Sequence, residues 1–121
     1  MALPASDDDL TLLYNPRCSK SRAAKALIEE RGIAFVVREY LNDPLDASEL
    51  RGLAERLGKP ISSWVRRKES AFASSGCSDT SGEDELLAAV VAEPVLMERP
   101  ILVRGSRAVI GRPPEDVLEL L

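Results

Sequence analysis

Histidine is absent from the 121 residues, which removes imidazole as a general base and as a metal ligand. Cysteine is scarce: two residues can build neither a disulfide framework nor a four-thiolate metal site, so no metal centre is expected. Aromatic residues make up 4% of a chain that is 45% hydrophobic, so the core must be aliphatic. Long apolar runs are missing too. The longest, residues 86–92, spans seven positions, far below the ~18 needed to cross a bilayer. The first nine residues carry neither a basic nor an apolar leader segment, so no targeting peptide is expected. Positive charge is in deficit, 16 Lys and Arg against 20 Asp and Glu for a net charge of −4, which argues against nucleic acid as a partner. What remains is a protein expected to be cytoplasmic, with reduced thiols and no membrane partner. It should form a single domain over 10–121 behind a flexible acidic lead over 1–9.

What is present has a clear order. The run Leu10-Thr11-Leu12-Leu13-Tyr14 suits a buried strand and stops at Asn15-Pro16. Residues 19–31 read as a helix ended by Gly32, and residues 33–40 as a second strand, parallel to the first because a helix connects them. Asp46-Ala47-Ser48-Glu49 has the pattern of a capping box ahead of Leu50, Leu53, Ala54 and Leu57. The spacing predicts further helix over 61–69, ending in Arg66-Arg67-Lys68, then a loop over 74–82, then a helix around Leu86, Leu87, Val90 and Val91. Ile101-Leu102-Val103 and Ala108-Val109-Ile110 flank Gly105-Ser106, which suits a type II′ hairpin, and Pro113 or Pro114 can open a last helix. The expected fold is α/β and thioredoxin-like: β-α-β, a helical insert, then β-β-α, with a mixed four-stranded sheet flanked by helices.

Cys18 is the first candidate for chemistry. It lies where a strand gives way to a helix N-terminus, whose free amides favour a thiolate. Arg17, Lys20 and Arg22 add cations, and Ser19 and Ser21 add hydroxyl donors. Without histidine, a nucleophilic thiol must rely on a lowered pKa. The bland alternative, a buried inert cysteine, fits poorly with Arg17 and Ser19 on either side. Arg67, Arg99 and Arg112 lie in three separate segments. Taken singly each reads as a solvated surface charge; as a set they can grip an oxyanion with planar forks.

Four segments in order, Asn15-Pro16-Arg17-Cys18-Ser19-Lys20-Ser21-Arg22, Arg67-Lys68, Glu98-Arg99-Pro100 and Gly111-Arg112-Pro113-Pro114-Glu115, resemble the ArsC-type arsenate reductases coupled to glutathione and glutaredoxin. The resemblance implies reduction of arsenate to arsenite. Cys18 would match the nucleophile, and Arg67, Arg99 and Arg112 the arginines that hold the oxyanion. Asn15, Ser21 and Arg22 would support the cysteine loop, and Pro100 would match the cis-proline beside it. Arsenate or a related oxyanion, glutathione as co-substrate and glutaredoxin are the implied partners of a monomer with no bound cofactor. Tyr14 stands where family members often carry a histidine. Cys77 is expected to fill a small apolar slot and to form no disulfide with Cys18. Two other readings stay open: a thioredoxin-fold thiol reductase with another substrate, and a non-enzymatic regulator of the Spx type. The latter's Cys-x-x-Cys switch is missing, since Ser21 occupies its second position.

Overall fold

The apolar run at 10–14 becomes the central strand β1 (Leu10–Tyr14) of the computed structural model, which describes residues 3–121. With β2 (Val36–Glu39), β3 (Ile101–Arg104) and β4 (Arg107–Ile110) it forms a mixed sheet in the order β2-β1-β3-β4. β1 runs parallel to β2, with Thr11 opposite Val36 and Tyr14 opposite Glu39, and antiparallel to β3. A strand inside a sheet and covered on both faces is apolar at consecutive positions rather than alternate ones, which is why Leu10, Leu12 and Leu13 are all buried. β2 is shorter than the expected 33–40. In this register residues 33 and 34 would lie beyond the start of β1 and have nothing to pair with.

Helix α1 (Ser19–Glu30) buries Ser21, Ala24 and Ile28 along one face, and Gly32 follows it in the left-handed region at φ +66°. Ala24 and Ile28 close a core with Leu10, Leu12, Leu102, Val117 and Leu120. The last two lie in a 3₁₀ helix, Pro114–Leu120, where residues three apart share a face. The β3–β4 turn has Gly105 at φ +56° and no positive φ at Ser106, as the hairpin reading requires. Ahead of β1, Pro4 is buried and the Asp7 carbonyl accepts from Arg104 Nε at 2.7 Å. Met1 and Ala2, the head of the lead expected over 1–9, lie outside the described residues.

The chain divides into two compact units, one comprising the residues up to Asp43 with Arg99–Leu121, the other Pro44–Glu98. In the second, α2 (Ala47–Leu57) starts from a complete capping box: the Glu49 amide donates to Asp46 Oδ1 at 2.8 Å and the Asp46 amide to Glu49 Oε1 at 3.3 Å. Gly58, at φ +67°, ends it. α2 packs on α4 (Glu83–Ala92), which buries Leu86, Leu87, Ala89 and Val90. The helix expected over 61–69 is not formed. Ile61–Ser63 is a single 3₁₀ turn, after which Val65 bridges Met97. The Arg66 amide donates to the Leu96 carbonyl at 2.6 Å and the Glu98 amide to the Trp64 carbonyl at 3.0 Å. Those long-range bonds occupy backbone groups that a helix would have paired internally. A short helix, α3 (Ser70–Ser74), follows. Among the described residues no helix is long and apolar enough to cross a membrane.

Candidate active site

Cys18 is the N-cap of α1, half-buried, with extended backbone at φ −95° and ψ 121°. The loop that presents it is pinned at four points. The Cys18 amide donates to the Asn15 carbonyl at 3.0 Å, and the Arg17 amide to Asn15 Oδ1 at 3.0 Å. The Asn15 amide donates to the buried Ser21 hydroxyl at 3.4 Å, and Arg22 Nη1 to the Pro16 carbonyl at 2.8 Å. Arg22 thus serves the loop's shape. Because the Ser21 oxygen accepts from Asn15, its own proton is left to point at sulfur.

The electrostatics of Cys18 follow from this geometry. Desolvation pushes the thiol up, but the Ser21 amide and hydroxyl, the Arg99 side chain and the Lys20 amide outweigh it and hold the pKa down to about 7. Sγ makes no capping hydrogen bond of good geometry, so the two first-turn amides act at longer range, as the positive end of the helix. At neutral pH this leaves Cys18 a far larger thiolate fraction than the few per cent of an ordinary thiol at ~8.5.

Arg99 reaches this site from the segment before β3. The Arg99–Pro100 peptide is cis, the geometry that the resemblance implies, and the Arg112–Pro113 peptide is cis as well. Arg112 is tied to Arg99: its Nε donates to the Arg99 carbonyl at 2.8 Å, and the Gly111 amide donates to the Pro100 carbonyl at 2.8 Å. Cys18, Asn15, Ser21, Arg22, Arg99, Pro100 and Arg112 therefore belong to one unit.

Arg67 belongs to the other. Its Nη2 donates to the Ser62 carbonyl at 3.0 Å, its Nη1 pairs with Asp79 at 3.3 Å, and its guanidinium lies 5.5 Å from the centre of the Phe72 ring. The neighbouring Arg66 takes a different set of partners, Glu69 at 3.1 Å and Glu98 at 2.8 Å. Burial opposes the charge of Arg66, but the two carboxylates outweigh burial and raise its pKa further, so it stays a cation. Cys77 is free, with its thiol directed at the Glu85 carbonyl at 3.7 Å.

Residues 13–120 match the model of the ArsC family. The chain belongs to the ArsC family. Among relatives in sequence, the arsenate reductase of Neisseria meningitidis serogroup B (strain MC58) is 40% identical over 115 residues, covering 93% of this chain and 98% of that protein. The uncharacterized protein YfgD of Escherichia coli K12 is 44% identical over 112 residues, covering 91% and 94%. Among solved structures, the arsenate reductase from Vibrio cholerae superposes with a TM-score of 0.88 at 37% identity, covering 100% of both chains.

Two features of this ArsC-family chain escape sequence reading. Gly111 backs directly onto the cis-proline: a Cβ there would sit 2.8 Å from Pro100 Cγ and 3.0 Å from Val117 Cγ1. Its place beside Arg112 was the only signal. The other lies in the second unit, where Arg66 and Arg67 take different partners, which adjacent identical residues cannot reveal without the backbone between them.

Proposed function

We propose that the protein reduces arsenate to arsenite through the Cys18 thiolate, with glutathione and glutaredoxin supplying the electrons. The observation that carries this reading is a thiol held near pKa 7 with Arg99 against its sulfur and Arg112 bonded to the Arg99 backbone. A thiolate and an oxyanion repel each other, and the Arg99 guanidinium beside the sulfur offsets that repulsion as charge builds on arsenate oxygens.

Sγ of Cys18 attacks arsenic as an arsenate hydroxyl takes up a proton from solvent and leaves as water, forming a sulfur–arsenic(V) bond. The glutathione thiolate then attacks Sγ. A disulfide bond forms, the sulfur–arsenic bond breaks, and its electron pair stays on arsenic, which departs as arsenite. Glutaredoxin removes glutathione from Cys18 by thiol–disulfide exchange and restores the thiolate.

For the third arginine the resemblance supplies Arg67, but that guanidinium is engaged by Ser62, Asp79 and Phe72. Arg66 is engaged at least as fully, by Glu69 and Glu98, so engagement does not separate the two neighbours and substitution has to. The arginine that supplies the third fork should, as the alanine variant, raise the KM for arsenate at least tenfold, with the other variant close to wild type. No change in either Arg66→Ala or Arg67→Ala would leave the oxyanion to Arg99 and Arg112 alone. The reading as a whole is tested by following NADPH oxidation with arsenate, glutathione, glutaredoxin and glutathione reductase, with Cys18→Ser run alongside. Turnover that depends on arsenate and disappears in the variant supports it. No turnover from folded protein with an alkylatable Cys18 points to another substrate.

A further inference from the structure

Turnover of a single nucleophilic thiol needs a second thiol from outside, and the first unit offers it a seat. A cleft of about 330 Å³ opens beside the Cys18 loop, lined by Tyr14 to Arg17, Glu39, Leu41 and Asn42. It lies at the C-terminal ends of the parallel strands β1 and β2, where Tyr14 and Glu39 are register partners and where open α/β sheets place ligands. Both walls are held from behind. On one side Asn15 and Arg22 fix the turn through Pro16 and Arg17. On the other, the Asn42 and Asp43 amides both donate to the Glu39 carbonyl at 2.9 Å, while the buried Arg38 Nε holds the Asp43 carbonyl at 3.0 Å and its carboxylate at 3.3 Å.

The groups that face the cleft are left unengaged. Among the described residues, neither the Arg17 guanidinium nor the Glu39 carboxylate is in an ion pair, and the Tyr14 hydroxyl and Asn42 carboxamide make no hydrogen bond. A cation, a carboxylate, a phenol and a carboxamide around one pinned cleft form a complement to a ligand that itself carries a carboxylate and an ammonium group. Leu41, 41% exposed, gives its methylenes an apolar wall.

We propose that this cleft is the seat of the attacking thiol, and that it selects a zwitterionic thiol peptide by pairing its carboxylate with Arg17 and its ammonium with Glu39. The proposal rests on the reading of Cys18 as the nucleophile, since Cys18 bonds to Asn15, one wall of the cleft. A thiol seated there needs no second cysteine in the protein.

The experiment has two arms. In the first, the Cys18→Ser protein, labelled with ¹⁵N, is titrated with S-methylglutathione, which can bind but not react. Amide shifts centred on Tyr14, Arg17, Glu39 and Asn42 are expected, weakened about five- to tenfold in affinity by Arg17→Ala or Glu39→Gln, the scale of one partly screened charged contact. Shifts elsewhere, or none, overturn the seat whatever the enzyme's substrate. In the second, arsenate reduction is driven by glutathione or by 2-mercaptoethanol, which carries no charge. Both variants should lower the preference for glutathione over 2-mercaptoethanol about five- to tenfold; a fall by the same factor with both thiols overturns charge selection. Binding at the cleft without any arsenate turnover would leave the seat standing and remove the arsenate reading instead.

Discussion

The two cysteines are similarly half-buried, yet the chain surrounds them in opposite ways. Cys18 faces donors: the Ser21 hydroxyl, two helix amides and the Arg99 guanidinium. Cys77 faces an acceptor, the Glu85 carbonyl at 3.7 Å, in a loop otherwise held by serine hydroxyls. Donors stabilise sulfur without its proton, and donors are what the chain gives Cys18. Exposure therefore says little about which thiol reacts, and the identity of the atoms pointed at sulfur says most of it.

The largest effect should come from exchanging sulfur for oxygen at each position. Cys18→Ser is expected to abolish arsenate reduction in the coupled assay, and Cys77→Ser to leave it near the wild-type rate. Equal losses would mean that both thiols serve the reaction. Next in size is Arg99→Ala, which removes both a donor to the thiolate and a grip on the oxyanion. A fall in kcat/KM of ~10²–10³ is expected, the scale for one oxyanion donor, and a rate within threefold of wild type would make Arg99 a bystander.

Ser21→Ala isolates the hydroxyl. Because the folded-state pKa of Cys18 is depressed to about 7, alkylation by iodoacetamide should rise with pH to a plateau with its midpoint there. The variant should move that midpoint up toward about 8, since a hydrogen bond to a charged group is worth ~1.5–3 kcal/mol and part of it is replaced by water. The same depression makes the fold more stable as pH rises from about 7 toward the unfolded thiol's ~8.5, and the gain is absent below 7. A midpoint in Ser21→Ala still at 7 would leave the amides and Arg99 as the whole cause.

How much of this was legible beforehand depended on the range of the forces involved. The Asp46–Glu49 box, the left-handed Gly32 and the Gly105-Ser106 turn are decided within a few residues, and the sequence shows each at its observed position. So too for Cys18 at the start of α1, because the change from strand to helix is local. The segment 61–69 departs from the expected helix because Val65 and Arg66 are captured by Met97 and Leu96, about thirty residues away. The same capture separates Arg66 from Arg67. The cleft walls were invisible for a like reason: Tyr14 and Glu39 meet through strand register, which no window of sequence displays.

The smallest expected effect concerns how firmly the Cys77 thiol is kept against its acceptor. Glu85, whose carbonyl faces Cys77, lies in the first turn of α4, and that turn is anchored by Glu83, whose carboxylate accepts from the Ile61 amide at 2.8 Å and the Ser62 amide at 3.1 Å. Desolvation pushes the Glu83 carboxyl up, but the Ser62 and Ile61 donors outweigh it and leave its pKa lowered. A depressed carboxyl contributes stability above its unfolded pKa and loses it as pH falls through the folded value. Glu83→Gln should therefore unfold about 1 kcal/mol more easily at pH 7, the low end for a charged hydrogen bond because this side chain is largely exposed. The difference should vanish in acid, where the wild-type carboxyl is protonated too. In the same variant Cys77 should alkylate faster while Cys18 keeps its rate and its midpoint. Acceleration at both cysteines would show that the contrast between them is a property of the whole fold rather than of the atoms facing each sulfur.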